Sequence, residues 1–82
     1  MMHLQIITPT GVSYDGDVER FQFTSANGMM EFLTGHAPMI AEVKEGSITT
    51  DTEQLACGNG VVRIENDVIT VVCELAHALD ES

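Results

Sequence analysis

Histidines, cysteines and one closely spaced acidic pair are the side chains of this 82-residue sequence best suited to chemistry. His3, His36 and His77 could each bind a metal or move a proton. A ligand set on one element, however, needs a second donor at short spacing, as in His-Glu-x-x-His or Cys-x-x-Cys, and none of the three histidines has one. Ser13, Ser25 and Ser47 lack the Gly-x-Ser-x-Gly elbow that presents a hydroxyl nucleophile, and Cys57 and Cys73 have no cationic neighbour to favour a thiolate. Gly28, Gly35, Gly58 and Gly60 are not followed by the Lys-Ser/Thr pair and helix of a phosphate cradle. Asp15 and Asp17 flank Gly16, where turn formation accounts for them more simply than acid–base work. The expectation is a non-catalytic chain with no metal, no nucleotide site and no cofactor. A small metal-dependent enzyme would require His36 to meet Cys57 or Cys73 in space.

The elements that would carry these residues are short and extended. His3–Thr8 alternates, placing Leu4 and Ile6 on one face, and Pro9-Thr10-Gly11 ends it. Val12–Tyr14 is a second short piece, expected to stop at Asp15-Gly16-Asp17. Val18–Thr24 follows with Phe21 and Phe23 inward, and Ala26-Asn27-Gly28 turns the chain. Met29–Leu33 is a short apolar run in which Met29 and Met30 read either as an exposed pair suited to an adaptable apolar contact or, by alternation, as one exposed and one turned inward. Met39–Lys44 is expected to turn at Glu45-Gly46 into a separate strand, Ser47–Thr50, and Glu53–Cys57 is another. Val61–Glu65 and Val68–Cys73 form the best-specified unit, a hairpin on Asn66-Asp67. Setting Glu65 opposite Val68 sets Arg63 opposite Thr70 and Val61 opposite Val72, and leaves Val62, Ile64, Ile69, Val71 and Cys73 as the core face. Glu74–Leu79 has room for one helical turn. Short strands at regular spacing with Gly-rich turns indicate one all-β domain over residues 1–82, an antiparallel sandwich or barrel.

Charge narrows the partners. Three Lys and Arg against thirteen Asp and Glu give a formal charge of −10, which disfavours nucleic acid and anionic lipid. The acidic residues are scattered rather than blocked, as on a solvated surface, and a basic protein partner would fit them. No run approaches the ~20 apolar residues that span a bilayer, so no direct membrane insertion is expected. Neither does Met1-Met2-His3-Leu4 open a signal peptide. Two cysteines far apart in sequence read as reduced, buried side chains of a cytoplasmic chain, with a disulfide between them as the alternative.

Asn27-Gly28-Met29-Met30-Glu31-Phe32-Leu33-Thr34-Gly35-His36-Ala37-Pro38 resembles a Gly- and Pro-rich segment ending in Gly-His-Ala-Pro in ATP synthase epsilon subunits. The resemblance continues through His3–Pro9, Val18–Phe23, Lys44-Glu45-Gly46-Ser47-Ile48 and Gly58–Ile64, covering nearly the whole chain in order. Glu31 stands where the family usually has Gly, Thr34 where it usually has Pro, and Met29 where an acidic residue is common. The resemblance implies a flattened ten-stranded antiparallel β-sandwich, here as a short form without the C-terminal helical hairpin. That hairpin is associated with inhibition and nucleotide binding in some members, so neither role is expected. It also implies a non-catalytic rotor subunit of the central stalk, coupling ion-driven rotation to ATP synthesis. The implied partners are the gamma subunit, the ring of c subunits and, indirectly, the catalytic alpha/beta hexamer. The implied location is peripheral, at the cytoplasmic face of the bacterial inner membrane. By position, Thr8, His36, Ala37, Pro38, Met39 and Ala41 would face gamma, and Asn27, Gly28, Met29 and Met30 would touch the ring. A free-standing acidic β-sandwich that binds other proteins is the alternative, and it leaves the ordered motif match without a cause.

Overall fold

The computed structural model describes residues 1–78. Its elements are β1 (Met2–Thr8), β2 (Gly11–Val18), β3 (Arg20–Ser25), β4 (Gly28–Leu33), β5 (Met39–Thr50), β6 (Gln54–Cys57), β7 (Gly60–Glu65), β8 (Val68–Cys73) and β9 (Ala76–Ala78). No helix of the described residues is long and apolar enough to cross a membrane. The strands form one curled sheet in the order β2-β1-β8-β7-β5-β3-β4, with β6 also paired to β5 and β9 to β6.

β5 is the pivot. Its residues Met39–Val43 pair with β7, whereas Gly46–Thr49 pair with β6. Phe23 lies opposite Ile48 and Ser25 opposite Val43, so two steps along β3 match five along β5 and the strand bulges sharply between them. Gly46 fits this corner because a Cβ there would lie 3.0 Å from Thr24 Oγ1. The N–H of Glu45 donates to Asn59 Oδ1 at 2.8 Å, satisfying a group the bulge would otherwise orphan. The sheet therefore folds into two layers, β2-β1-β8-β7-β5 and β9-β6-β5-β3-β4. The two strands expected on either side of Glu45-Gly46 are one bent strand shared by both layers, so the described residues hold nine strands rather than ten. Pairing is antiparallel throughout except for β1 with β8, which run parallel; a connection of 59 residues, 9–67, joins them and no tight turn is needed.

Alternation decides which side of each strand is buried. Leu4 and Ile6 from β1, Phe21 and Phe23 from β3, Phe32 from β4, and Val62, Ile64, Ile69 and Val71 from the hairpin belong to one buried cluster. The three phenylalanine rings have centroids 5.3–5.8 Å apart, within the range of favourable aromatic contacts. The β7–β8 register is the one expected, with Asn66 and Asp67 at φ 52° and 62° in a two-residue loop.

Three local expectations are corrected. β2 does not stop at Tyr14 but runs through Asp15-Gly16-Asp17 to Val18. Pairing with β1 outweighs the low strand preference of that tripeptide, and the missing Gly16 side chain leaves room for the Tyr14 ring. The break falls instead at Glu19, where the N–H groups of Glu19 and Arg20 donate to Asp51 Oδ1 at 2.8 and 3.4 Å, so Val18 ends β2 and β3 begins at Arg20. The helical turn expected over Glu74–Leu79 is replaced by β9, paired with β6; Leu79 lies outside the described residues. One turn cannot repay helix nucleation, whereas the open β6 edge supplies partners at once.

Candidate functional site

Residues Thr34–Pro38 join β4 to β5 and are pinned from several sides. Gly35 takes φ 88° and donates its N–H to Asp67 Oδ1 at 2.8 Å, tying the loop to the β7–β8 hairpin. His36 donates its backbone N–H to Leu33 O at 3.0 Å and its ring Nδ1–H to Ala37 O at 2.7 Å. Its ring lies on Phe32 with centroids 4.6 Å apart. Ala37 and Pro38 are exposed, while Met39 and Ala41 are half-buried and pack against the core. Thr8 is only 7% exposed, with its hydroxyl 3.0 Å from Thr10 Oγ1 and 3.2 Å from Ser13 Oγ. It holds the β1–β2 turn and offers little side chain to a partner. These six residues do not gather into one patch. The pairings put Thr8 at the end of its layer that holds Gly60 and Val43, whereas the His36 loop enters at the opposite end, where Met39 meets Ile64. They stand on the border of the five-stranded layer.

The outer face inside that border is apolar. Register aligns Val12 with Ile7, Ile7 with Val72 and Val72 with Val61, one side chain from each of β2, β1, β8 and β7. With strands about 4.8 Å apart, this row is ~14 Å long. Val12, Val72 and Val61 are 58%, 53% and 50% exposed, and Ile40, on β5 beside them, is 68% exposed. Val68 is exposed on the same outer face. Scattered exposed valines are ordinary, but a continuous row across four strands of a small domain is a candidate contact surface. Asp15, Asp17, Glu42 and Glu65 surround it, Arg63 is set within it, and the His3 ring lies against Asp15 and Asp17 at its edge.

Asn27–Met30 form the β3–β4 turn and the start of β4. Ser25 Oγ donates to Gly28 O at 2.7 Å and accepts the Asn27 N–H at 3.2 Å, and Gly28 sits at φ 111°. Met29 projects into solvent, whereas Met30 turns inward against the core, as alternation requires. Asn27, Met30, Met39 and Ala41 line one shallow groove, so the two sets of residues assigned by resemblance partly converge there.

No reactive constellation forms around these residues. Cys57 and Cys73 are free and buried in the core, and burial pushes both thiols up. Among the described residues no group of three His, Cys, Asp or Glu is arranged to hold a metal ion. His36 therefore does not converge with either cysteine on a metal site.

Val12, Ile7, Ile40, Val61 and Val72 were not singled out from sequence. The signal lay in the hairpin register, which already set Val61 against Val72 on the face away from the core. Two opposed valines on a solvent face are the unusual feature. The parallel β1–β8 pairing, which extends the row to Ile7 and Val12, has no local signature.

Residues 1–78 match the family model of the ATP synthase Delta/Epsilon chain, beta-sandwich domain. The chain is 32% identical over 85 residues to the ATP synthase epsilon chain of Staphylococcus haemolyticus and 30% identical over 84 residues to that of Bacillus pumilus; each alignment takes in 98% of this chain and 64% of the relative. It thus spans under two thirds of the length of these relatives. The fold superposes with a TM-score of 0.88, at 16% identity, on a chain in the Euglena gracilis mitochondrial ATP synthase OSCP/F1/c-ring structure, covering 99% of this chain and 55% of that one. Against a chain of the Tetrahymena thermophila mitochondrial ATP synthase central stalk and c-ring, the TM-score is 0.80 at 9% identity, over 94% and 66% of the two chains.

Proposed function

Because the chain belongs to the β-sandwich domain family of ATP synthase delta and epsilon chains, we propose that it is a non-catalytic rotor subunit of the central stalk of a proton-transporting ATP synthase. It binds gamma through the outer face of the five-stranded layer and rests the Asn27–Met30 turn on the ring of c subunits. The alpha/beta hexamer is reached only through gamma. The complex holds it peripherally at the cytoplasmic face of a bacterial inner membrane.

The observation that carries this reading is the apolar row Val12–Ile7–Val72–Val61, in which the three valines are exposed and Ile7 is half-buried, with exposed Ile40 beside it. A joint that passes torque between ring and stalk must resist slip. That requires a broad rigid contact, on the order of 800 Å² per partner, with a few buried anchors dominating its energy. A sheet face suits this because its side chains stand on hydrogen-bonded strands. Acidic groups around the row steer a basic-rimmed partner into register. Residues Thr8 and His36–Ala41 then act mostly as the frame: they fix the corners of the layer, with Ala37 and Pro38 touching gamma directly. Met29, exposed and flexible, adapts to the ring surface.

The test is a pull-down from detergent-solubilised membranes with the tagged chain. Co-purification of gamma and c subunits in stoichiometric amounts is expected. Recovery of other proteins without gamma would replace the stalk reading with a free-standing interaction module.

A further inference from the structure

We infer that His3, as an imidazolium, staples edge strand β2 to β1 through Asp15 and Asp17, making the order of that edge dependent on protonation. His3 Nε2 lies 2.7 Å from Asp15 Oδ1, and Nδ1 lies 2.9 Å from Asp17 Oδ1. Ionised carboxylates only accept, and a neutral imidazole has a single N–H. Both contacts are satisfied together only when both ring nitrogens carry protons. Gln5 Nε2 adds a long donor contact to Asp15 Oδ2 at 3.4 Å.

The staple sits on an edge of the sheet. β2 is the outermost strand of its layer, its outward face carries two carboxylates, and its pairing with β1 slips register between Ile6 and Ile7. On the other flank of His3, β8 presents only uncharged Val68 and Thr70. Asp67 uses its carbonyl for the His3 N–H and its carboxylate for Gly35; Glu65 and Arg63 lie one strand farther away. The Met1 ammonium is 3.7 Å from Glu19. Asp15 and Asp17 are thus the charges that face the ring directly.

Hydrogen bonding to Asp17, with further help from Asp15, raises the His3 pKa above its ordinary 6.5. A folded value above the unfolded one means the staple is fully present below pH ~6.5 and is lost as pH rises through the folded value. Above that point one carboxylate loses its donor, and Asp15 and Asp17 repel across Gly16. The edge bearing Val12 then loosens, so proton loss also weakens one end of the apolar row. The staple itself is a property of the chain and stands whether or not that row docks on gamma.

Two measurements on the 82-residue chain test it. An NMR titration is expected to give His3 a midpoint above 6.5. Hydrogen exchange at β2 amides, corrected for the intrinsic pH dependence and for global opening, is expected to accelerate several-fold on passing that midpoint. His3→Gln should exchange at the faster rate throughout, with no such step. A His3 midpoint at or below 6.5, or the same step in His3→Gln, would overturn the inference.

Discussion

Replacing Val61 and Val72 together by threonine isolates the apolar row from the fold that carries it. Threonine keeps the β-branched shape that suits a strand, and each position points away from the core. The free chain should therefore stay within about 0.5 kcal/mol of its original stability. Docking is different. About half of each valine remains exposed in the free chain. Full burial of a valine is worth at least ~1.5 kcal/mol, so each should give ~0.8 kcal/mol on docking. Desolvating a hydroxyl in its place adds roughly 0.5–1 kcal/mol per site. The pair should cost about 2.6–3.6 kcal/mol, weakening binding roughly 80- to 400-fold. Calorimetric titration of purified gamma with each chain reads the affinity, and a urea melt of the free chains checks the fold. A dissociation constant within threefold of the original, with melts superimposed, would refute the assignment of this face.

Gly60→Ala should destabilise the chain by about 2–3 kcal/mol in a urea melt, since its Cβ would collide with the Val72 carbonyl and lie 2.7 Å from Cys73 Cα; an unchanged midpoint would mean β7 and β8 are not pressed together there. Asp51 is held below its ordinary value of 3.8, chiefly by the Glu19 N–H, so its contribution is present above that pH and lost as pH falls through the lowered value. Asp51→Asn should accordingly lower stability at pH 7 and converge with the original chain in strong acid; a constant gap down to pH 2 would contradict the N–H anchor. Cys57 and Cys73 should resist an aromatic disulfide reagent in the native chain and react fully in denaturant; prompt native reaction of both would show that the core is open.

Much of the architecture is legible in local pattern. Asn66-Asp67 fixes the hairpin and its register because positive φ at both positions leaves few alternatives. Phe21, Phe23, Leu4 and Ile6 reveal their faces by alternation, and the family motif around Gly35-His36-Ala37-Pro38 identifies the fold. What was not legible depends on distant partners. Glu45-Gly46 looks like a turn, yet it becomes a bend inside β5 because β6, β7 and β3 all hold that strand. Asp15-Gly16-Asp17 looks like a strand end, but β1 supplies His3 to bind both carboxylates. Ala76–Ala78 has no strand signal of its own and follows the open edge of β6. The candidate site divides in the same way. His36 and Met29 stand out by motif, whereas the row they border exists only once β1 lies parallel to β8.

Carbene footprinting of the chain, free and assembled in the membrane-bound complex, tests the stalk reading most directly. Labelling at Val12, Ile40, Val61 and Val72 should fall several-fold on assembly, while exposed Thr52 and Glu53, at the β5–β6 turn, keep their free-chain level. Equal labelling of those four apolar residues in both states, in a complex that contains the chain, would contradict it.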